Sequence, residues 1–187
     1  MTTTHTIGLY FHYLGLVGLF VGYGLEWTGS SLLRRATSTE QARMGLGLYR
    51  LSMPISGPGL LVLILSGGYL ASMTGAMKQA WISATLLAIV VALGMGFVFI
   101  LPRLRTIRAA LPEGNVALPE TALARVKDPM VATLVRVRFV LALGIVYLMT
   151  AKPGSLGASL LILLGAILIG LLCAAAAWTS RPGGSKT

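Results

Sequence analysis

Residues Ile7–Trp27 read IGLYFHYLGLVGLFVGYGLEW, a run with one histidine, His12, one acid, Glu26, and no lysine or arginine. About 20 apolar residues in a helix cross the roughly 30 Å of bilayer hydrocarbon. The stretch is therefore long enough to span a membrane and too apolar for a solvated surface. The first Lys or Arg is Arg34, so the basic segment that opens a signal peptide is missing, as is a small-residue cleavage site. The run is read as a retained helix.

Four further segments have the same character: Ile55–Met73, Trp81–Leu101, Met130–Ala151 and Leu156–Trp178. The expected fold is all-α, an integral membrane bundle of five transmembrane helices. It forms a single transmembrane domain over residues 1–187, with loops 28–54 and 102–129 between spans on the cytoplasmic side. Trp27, Trp81 and Trp178 fall at span ends, where an amphipathic ring favours the interface. Composition agrees: 56% of residues are hydrophobic and 11% charged, against about 25% charged in soluble domains.

The net charge of +10 lies in loops beside the spans. There it sets orientation and meets lipid head groups, so nucleic acid is not the expected partner. Thirteen Lys and Arg fall on one side: Arg34, Arg35, Arg43, Arg50, Arg103, Arg105, Arg108, Arg125, Lys127, Arg136, Arg138, Arg181 and Lys186. Lys78 and Lys152 alone fall on the other. The positive-inside rule then predicts the N-terminus outside and the C-terminus in the cytoplasm.

Within the first inner loop, Thr37 with Glu40 and Ser38 with Gln41 each fit a capping box. They predict a helix running toward Pro54 and lying at the cytoplasmic interface, with Arg43 and Arg50 on one face. Asp128-Pro129 reads as the N-cap and first position of the fourth spanning helix.

Ionisable residues inside spans point to function or to pairing. His12 is a candidate haem ligand, or a structural histidine bonded to a neighbouring helix. Its neighbour in type, His5, lies seven residues earlier on the same helix face, so the two cannot clamp one haem. Met73, Met77 and Met149 are the candidate axial partners, although methionines in an apolar chain ordinarily serve packing. Glu26 is expected to form a structural ion pair with Arg136 or Arg138. These two arginines are about 200° apart around a helix, so one should face Glu26 and the other reach for lipid phosphates. Gly15, Gly18 and Gly22 predict close helix packing of the first span. The lone cysteine, Cys173, excludes a disulfide framework or a cysteine metal cluster within the chain. No phosphate-binding loop, HExxH, GxSxG or paired carboxylates occur.

Phe11-His12-Tyr13-Leu14-Gly15, Ser66-Gly67-Gly68-Tyr69-Leu70 after Pro54 and Pro58, Trp81, and Tyr147-Leu148-Met149-Thr150-Ala151-Lys152-Pro153 carry a resemblance over most of the chain. Together they resemble an uncharacterised family of bacterial integral membrane proteins, known as a domain of unknown function. That family is distantly similar to the copper-resistance D-type membrane proteins and the small protoporphyrinogen oxidases. The resemblance implies a bacterial inner-membrane location and a haem or porphyrin contact at His12, matching the first-helix histidine of those oxidases. Their lysine shortly after the tryptophan is missing from Trp81-Ile82-Ser83-Ala84-Thr85, and Lys78 precedes the tryptophan instead. This departure argues against oxidase chemistry.

The expected function is a non-catalytic accessory or assembly subunit requiring no cofactor. It would contact the lipid bilayer, other membrane subunits or further copies of itself. The alternatives are a haem-b or porphyrin-handling redox protein using His12 and, more weakly, ion or metal transport through His12 and Glu26. The orientation has a direct test. A single cysteine replacing Lys78 or Lys152, in a Cys173→Ala background, should react with an impermeant maleimide on intact cells. Labelling only after permeabilisation would reverse the topology.

Overall fold

The computed structural model describes residues 3–179; Arg181 and Lys186 of the charge census lie outside them. The helices are α1 (Thr3–Arg35), α2 (Thr39–Met73), α3 (Ala80–Gly94), α4 (Leu101–Ala109), α5 (Glu120–Val126), α6 (Pro129–Ala151) and α7 (Leu156–Thr179). A short 3₁₀ turn, Ala76–Lys78, precedes α3, and a π-helical turn, Met95–Ile100, joins α3 to α4. Among the described residues, five helices are long and apolar enough to cross a membrane. The protein is a multi-pass, all-helical integral membrane protein.

The local signals are those that capping chemistry demands. The Ser38 side chain accepts the Gln41 backbone N–H, while Gln41 Oε1 accepts from the Thr37 N–H at 2.9 Å. Asp128 caps α6 by accepting the Met130 N–H at 2.9 Å, with Pro129 in the first turn. Each cap satisfies backbone donors that a helix start leaves without a partner.

The segment 28–54 differs from the expected loop with a helix lying at the interface. The first helix runs on to Arg35, and the helix that starts at Thr39 continues through Pro54 and Pro58 into the second span. A helix of 35 residues measures about 52 Å, so α2 extends well beyond a hydrocarbon layer of about 30 Å. Both prolines lie on the exposed face of α2. The opposite face is held against α1 along its length, so the missing N–H groups do not break the helix.

That contact is a seam of small residues with a seven-residue period. Buried Gly8, Gly15, Gly22 and Gly29 on α1 meet α2, which buries Gly45, Ser52, Gly59 and Ser66. A Cβ on Gly15 would lie 2.8 Å from the Gly59 carbonyl oxygen and from the Leu63 nitrogen. One on Gly29 would lie 2.8 Å from the Gly45 carbonyl oxygen. In lipid no hydrophobic force pairs helices, so such backbone proximity and the dispersion it brings must hold the hairpin together. A sustained seven-residue period gives the left-handed crossing of a coiled coil. Gly18 lies beside the seam, 3.4 Å from the Gly59 Cα, a looser contact than those of Gly15 and Gly22.

The same device recurs between α6 and α7. A Cβ on Gly144 would meet the Ala166 Cβ at 2.7 Å, and one on Gly170 the Val137 Cα at 2.8 Å. Ala84, Ala88 and Ala92 of α3 pack with Leu141, Leu148 and Leu163 of α6 and α7. At the arginine-rich end, the 111–119 loop clasps the tip of the α1–α2 hairpin. The Thr39 N–H donates to the Val116 carbonyl at 3.0 Å and the Leu118 N–H to the Thr37 carbonyl at 3.1 Å. Asn115 Nδ2 adds a 2.8 Å bond to Glu40.

The seam yields a paired prediction. Gly15→Ala, whose methyl would meet rigid backbone, should cost about 1–3 kcal/mol in detergent unfolding. Gly24→Ala, on the same helix with nothing within 4 Å, should be neutral or stabilising by up to about 1 kcal/mol. Equal melting shifts for the two would remove the seam as the source of the pairing.

Candidate functional site

Glu26 and Arg138 meet in the interior. Arg138 Nη1 donates to Glu26 Oε2 at 2.8 Å, and both side chains are about nine-tenths buried. A charge in hydrocarbon is costly unless paired and hydrogen-bonded, so each residue fixes the other. The Arg138 guanidinium also stands over the Tyr23 ring at 4.8 Å, and its Nη2 lies 3.4 Å from the Tyr23 hydroxyl. The Ser52 hydroxyl donates to the Tyr49 carbonyl at 2.8 Å and lies 3.5 Å from the other carboxylate oxygen. Arg138 Nε is buried and has no hydrogen-bond partner among the described residues.

The third span makes room for this cluster. A Cβ on Gly96, in the π-helical turn, would lie 3.3 Å from Arg138 Cζ and from both terminal nitrogens. A π turn inserts one extra residue into a helix, and such turns recur at functional sites. Tyr23, Ser52 and Gly96 therefore belong to the site beside the residues anticipated from sequence. Of these, Ser52 had a signal: it lies seven residues from both Gly45 and Gly59.

Arg136 takes a different place from the one expected. It is buried rather than extended toward lipid phosphates, donates to the Ala132 carbonyl at 3.0 Å, and lies over the Trp27 ring at 5.2 Å. Its aromatic neighbour replaces water as the cation's environment. Trp27 in turn meets Phe139 edge-on, with ring centroids 5.3 Å apart.

His12 is half-buried at the far end of α1. Its Nδ1 lies 3.2 Å from Ser66 Oγ, and Gly67 leaves room for the ring, with a built Cβ 3.1 Å from His12 Cε1. The Ser66 hydroxyl also lies within bonding distance of the Val62 and Leu63 carbonyls, and which atom donates between Ser66 and Nδ1 depends on the His12 tautomer. His12 and Glu26 are 14 residues apart on one helix, about 21 Å, and cannot share a ligand. Among the described residues, no group of three or more His, Cys, Asp or Glu could hold a metal ion.

A cavity of about 960 Å³ opens beside the ion pair. One wall is α2, with Met53, Gly57 and Leu60; the other is α3 to α4, with Leu93, Phe97 and Leu104. Glu26 and Arg138 line it, and Arg43, Arg50, Arg105 and Arg108 line its arginine-rich end. A smaller apolar groove of about 380 Å³ lies at the opposite end, between Ile7, Phe11, Leu65 and Tyr69. His12 lines neither.

The ion pair predicts an asymmetry. Glu26→Ala leaves the buried Arg138 without its partner and should destabilise the protein by about 3–5 kcal/mol in detergent unfolding. The double variant Glu26→Leu with Arg138→Leu should recover most of that loss. A double variant as unstable as Glu26→Ala would show that the charges do more than neutralise each other.

No curated protein and no solved structure matches the chain. The span from Leu9 to Pro153 holds α2 to α6 and most of α1, and with them His12, the Glu26–Arg138 pair and the π turn. Residues 9–153 match the family described as predicted integral membrane protein (DUF2269), and the chain belongs to that family.

Proposed function

We propose that the protein is a non-catalytic accessory or assembly subunit of a bacterial inner-membrane complex, with its N-terminus outside and its arginine-rich end in the cytoplasm. One observation carries this reading: the ionisable groups named in the interior are tied to separate partners. Glu26 holds Arg138, and His12 meets Ser66 two-thirds of a bilayer away. No two of them stand together as an acid–base pair or a ligand set. Partner surface is also available on α7, where Gly165 has nothing within 4 Å and exposed Leu161, Leu164, Leu168 and Leu172 flank it. A helix from a second chain could approach closely there.

A haem b on His12 is the second reading, favoured by the bond between its Nδ1 and Ser66. A ligating histidine is oriented in this way, through its other ring nitrogen. Neither of the two cavities described above includes His12. Of the candidate axial methionines, Met73 and Met77 are exposed and Met149 is half-buried. Transport through His12 and Glu26 has the least support, because of the separation between them.

Purification in mild detergent tests these readings together. The expected result is a colourless particle heavier than the 19.7 kDa chain, containing a second polypeptide or further copies. A monomer with a Soret band that is lost in His12→Ala would replace the accessory reading with the haem one.

A further inference from the structure

We infer that the cavity between α2 and α3–α4 is a binding site for one anionic phospholipid of the surrounding bilayer, its phosphate held by the arginine rim. This inference does not depend on the accessory reading. Five arginines and one acid line the cavity, and that acid, Glu26, is already bonded to Arg138. The wall therefore carries an excess of four positive charges. Arg50, Arg105 and Arg108 are exposed, and no ion pair or hydrogen bond among the described residues engages their side chains. Basic pockets between spanning helices are the usual seats of anionic head groups.

The remainder of the cavity is suited to acyl chains. Away from the rim its walls are apolar, including Leu60, Leu93 and Phe97. Met53 and Phe97 are also half-exposed on the outside of the bundle, so the cavity opens sideways at the depth of the bilayer. Its volume of about 960 Å³ is at the upper end of the range of about 300–1,000 Å³ typical of small-molecule pockets. A free inorganic anion would satisfy the rim but leave the apolar walls without a ligand. An amphiphile uses both.

The test is native mass spectrometry of the full chain in mild detergent, titrated with dioleoyl phosphatidylglycerol or dioleoyl phosphatidylcholine. A first phosphatidylglycerol should bind more tightly than phosphatidylcholine by about tenfold or more. Combined Arg50→Gln, Arg105→Gln and Arg108→Gln should bring the two lipids within about twofold. Gly57→Trp, which fills the apolar part and leaves the rim intact, should weaken both lipids. Arg35→Gln with Lys127→Gln, outside the cavity, should change neither. Equal retention of the two lipids by the unaltered chain would overturn the inference. So would unchanged lipid preference in both cavity variants, or stabilisation by millimolar inorganic phosphate equal to that by phosphatidylglycerol. A co-purifying polypeptide displaced by neither lipid and lost in Gly57→Trp would assign the cavity to a protein partner instead.

Discussion

A carboxylate and a guanidinium inside a membrane have few stable alternatives to meeting each other. Much of the bundle is arranged around the meeting of Glu26 and Arg138. The pair joins α1 to α6, elements that a long stretch of chain separates. It also imposes requirements on its neighbours. Tyr23 presents its ring to the cation, and a side chain at position 96 would press on the guanidinium. Removing two charges from water costs several kcal/mol per ion before their attraction is counted. An interaction that only breaks even on stability still selects one arrangement of the helices, because shifting α6 by a turn would separate the charges.

Around this polar centre the helices are held by shape. The α1–α2 hairpin brings backbone against backbone at Gly15, Gly22 and Gly29, one heptad apart, and α6–α7 packs as closely at Gly144 and Gly170. The 960 Å³ cavity lies beside the first of these pairs, between α2 and the rod formed by α3 and α4.

The architecture was legible in the sequence because hydrocarbon thickness imposes a length and the charges obey it. All five spans can be read from apolar runs, and Asp128-Pro129 announces the start of α6. What the sequence concealed were features set by contact rather than by composition. Pro54 suggests a break in any single-helix reading, yet α2 passes through it because α1 supports the opposite face. One of Arg136 and Arg138 reads as a lipid-facing cation, yet the structure places Arg136 over the Trp27 ring in the interior. Between Arg136 and Arg138, two residues apart, only the packing of α1 on α6 decides which one reaches Glu26. The π turn has no composition of its own, since Met95–Ile100 is as apolar as its surroundings.

That turn also sets rotational phase. In an α-helix one residue advances the chain by about 100° around the axis. The turn at Met95–Ile100 divides a rod whose first part places Ala84, Ala88 and Ala92 against α6 and α7. Its second part places Arg105 and Arg108 on the cavity. Deleting a single residue there would leave both parts helical and both surfaces intact. It would also rotate the arginines by roughly a quarter-turn relative to the alanines, away from the rim they now share with Arg43 and Arg50. The rim is thus built by an offset in winding, and the side chains alone do not specify it.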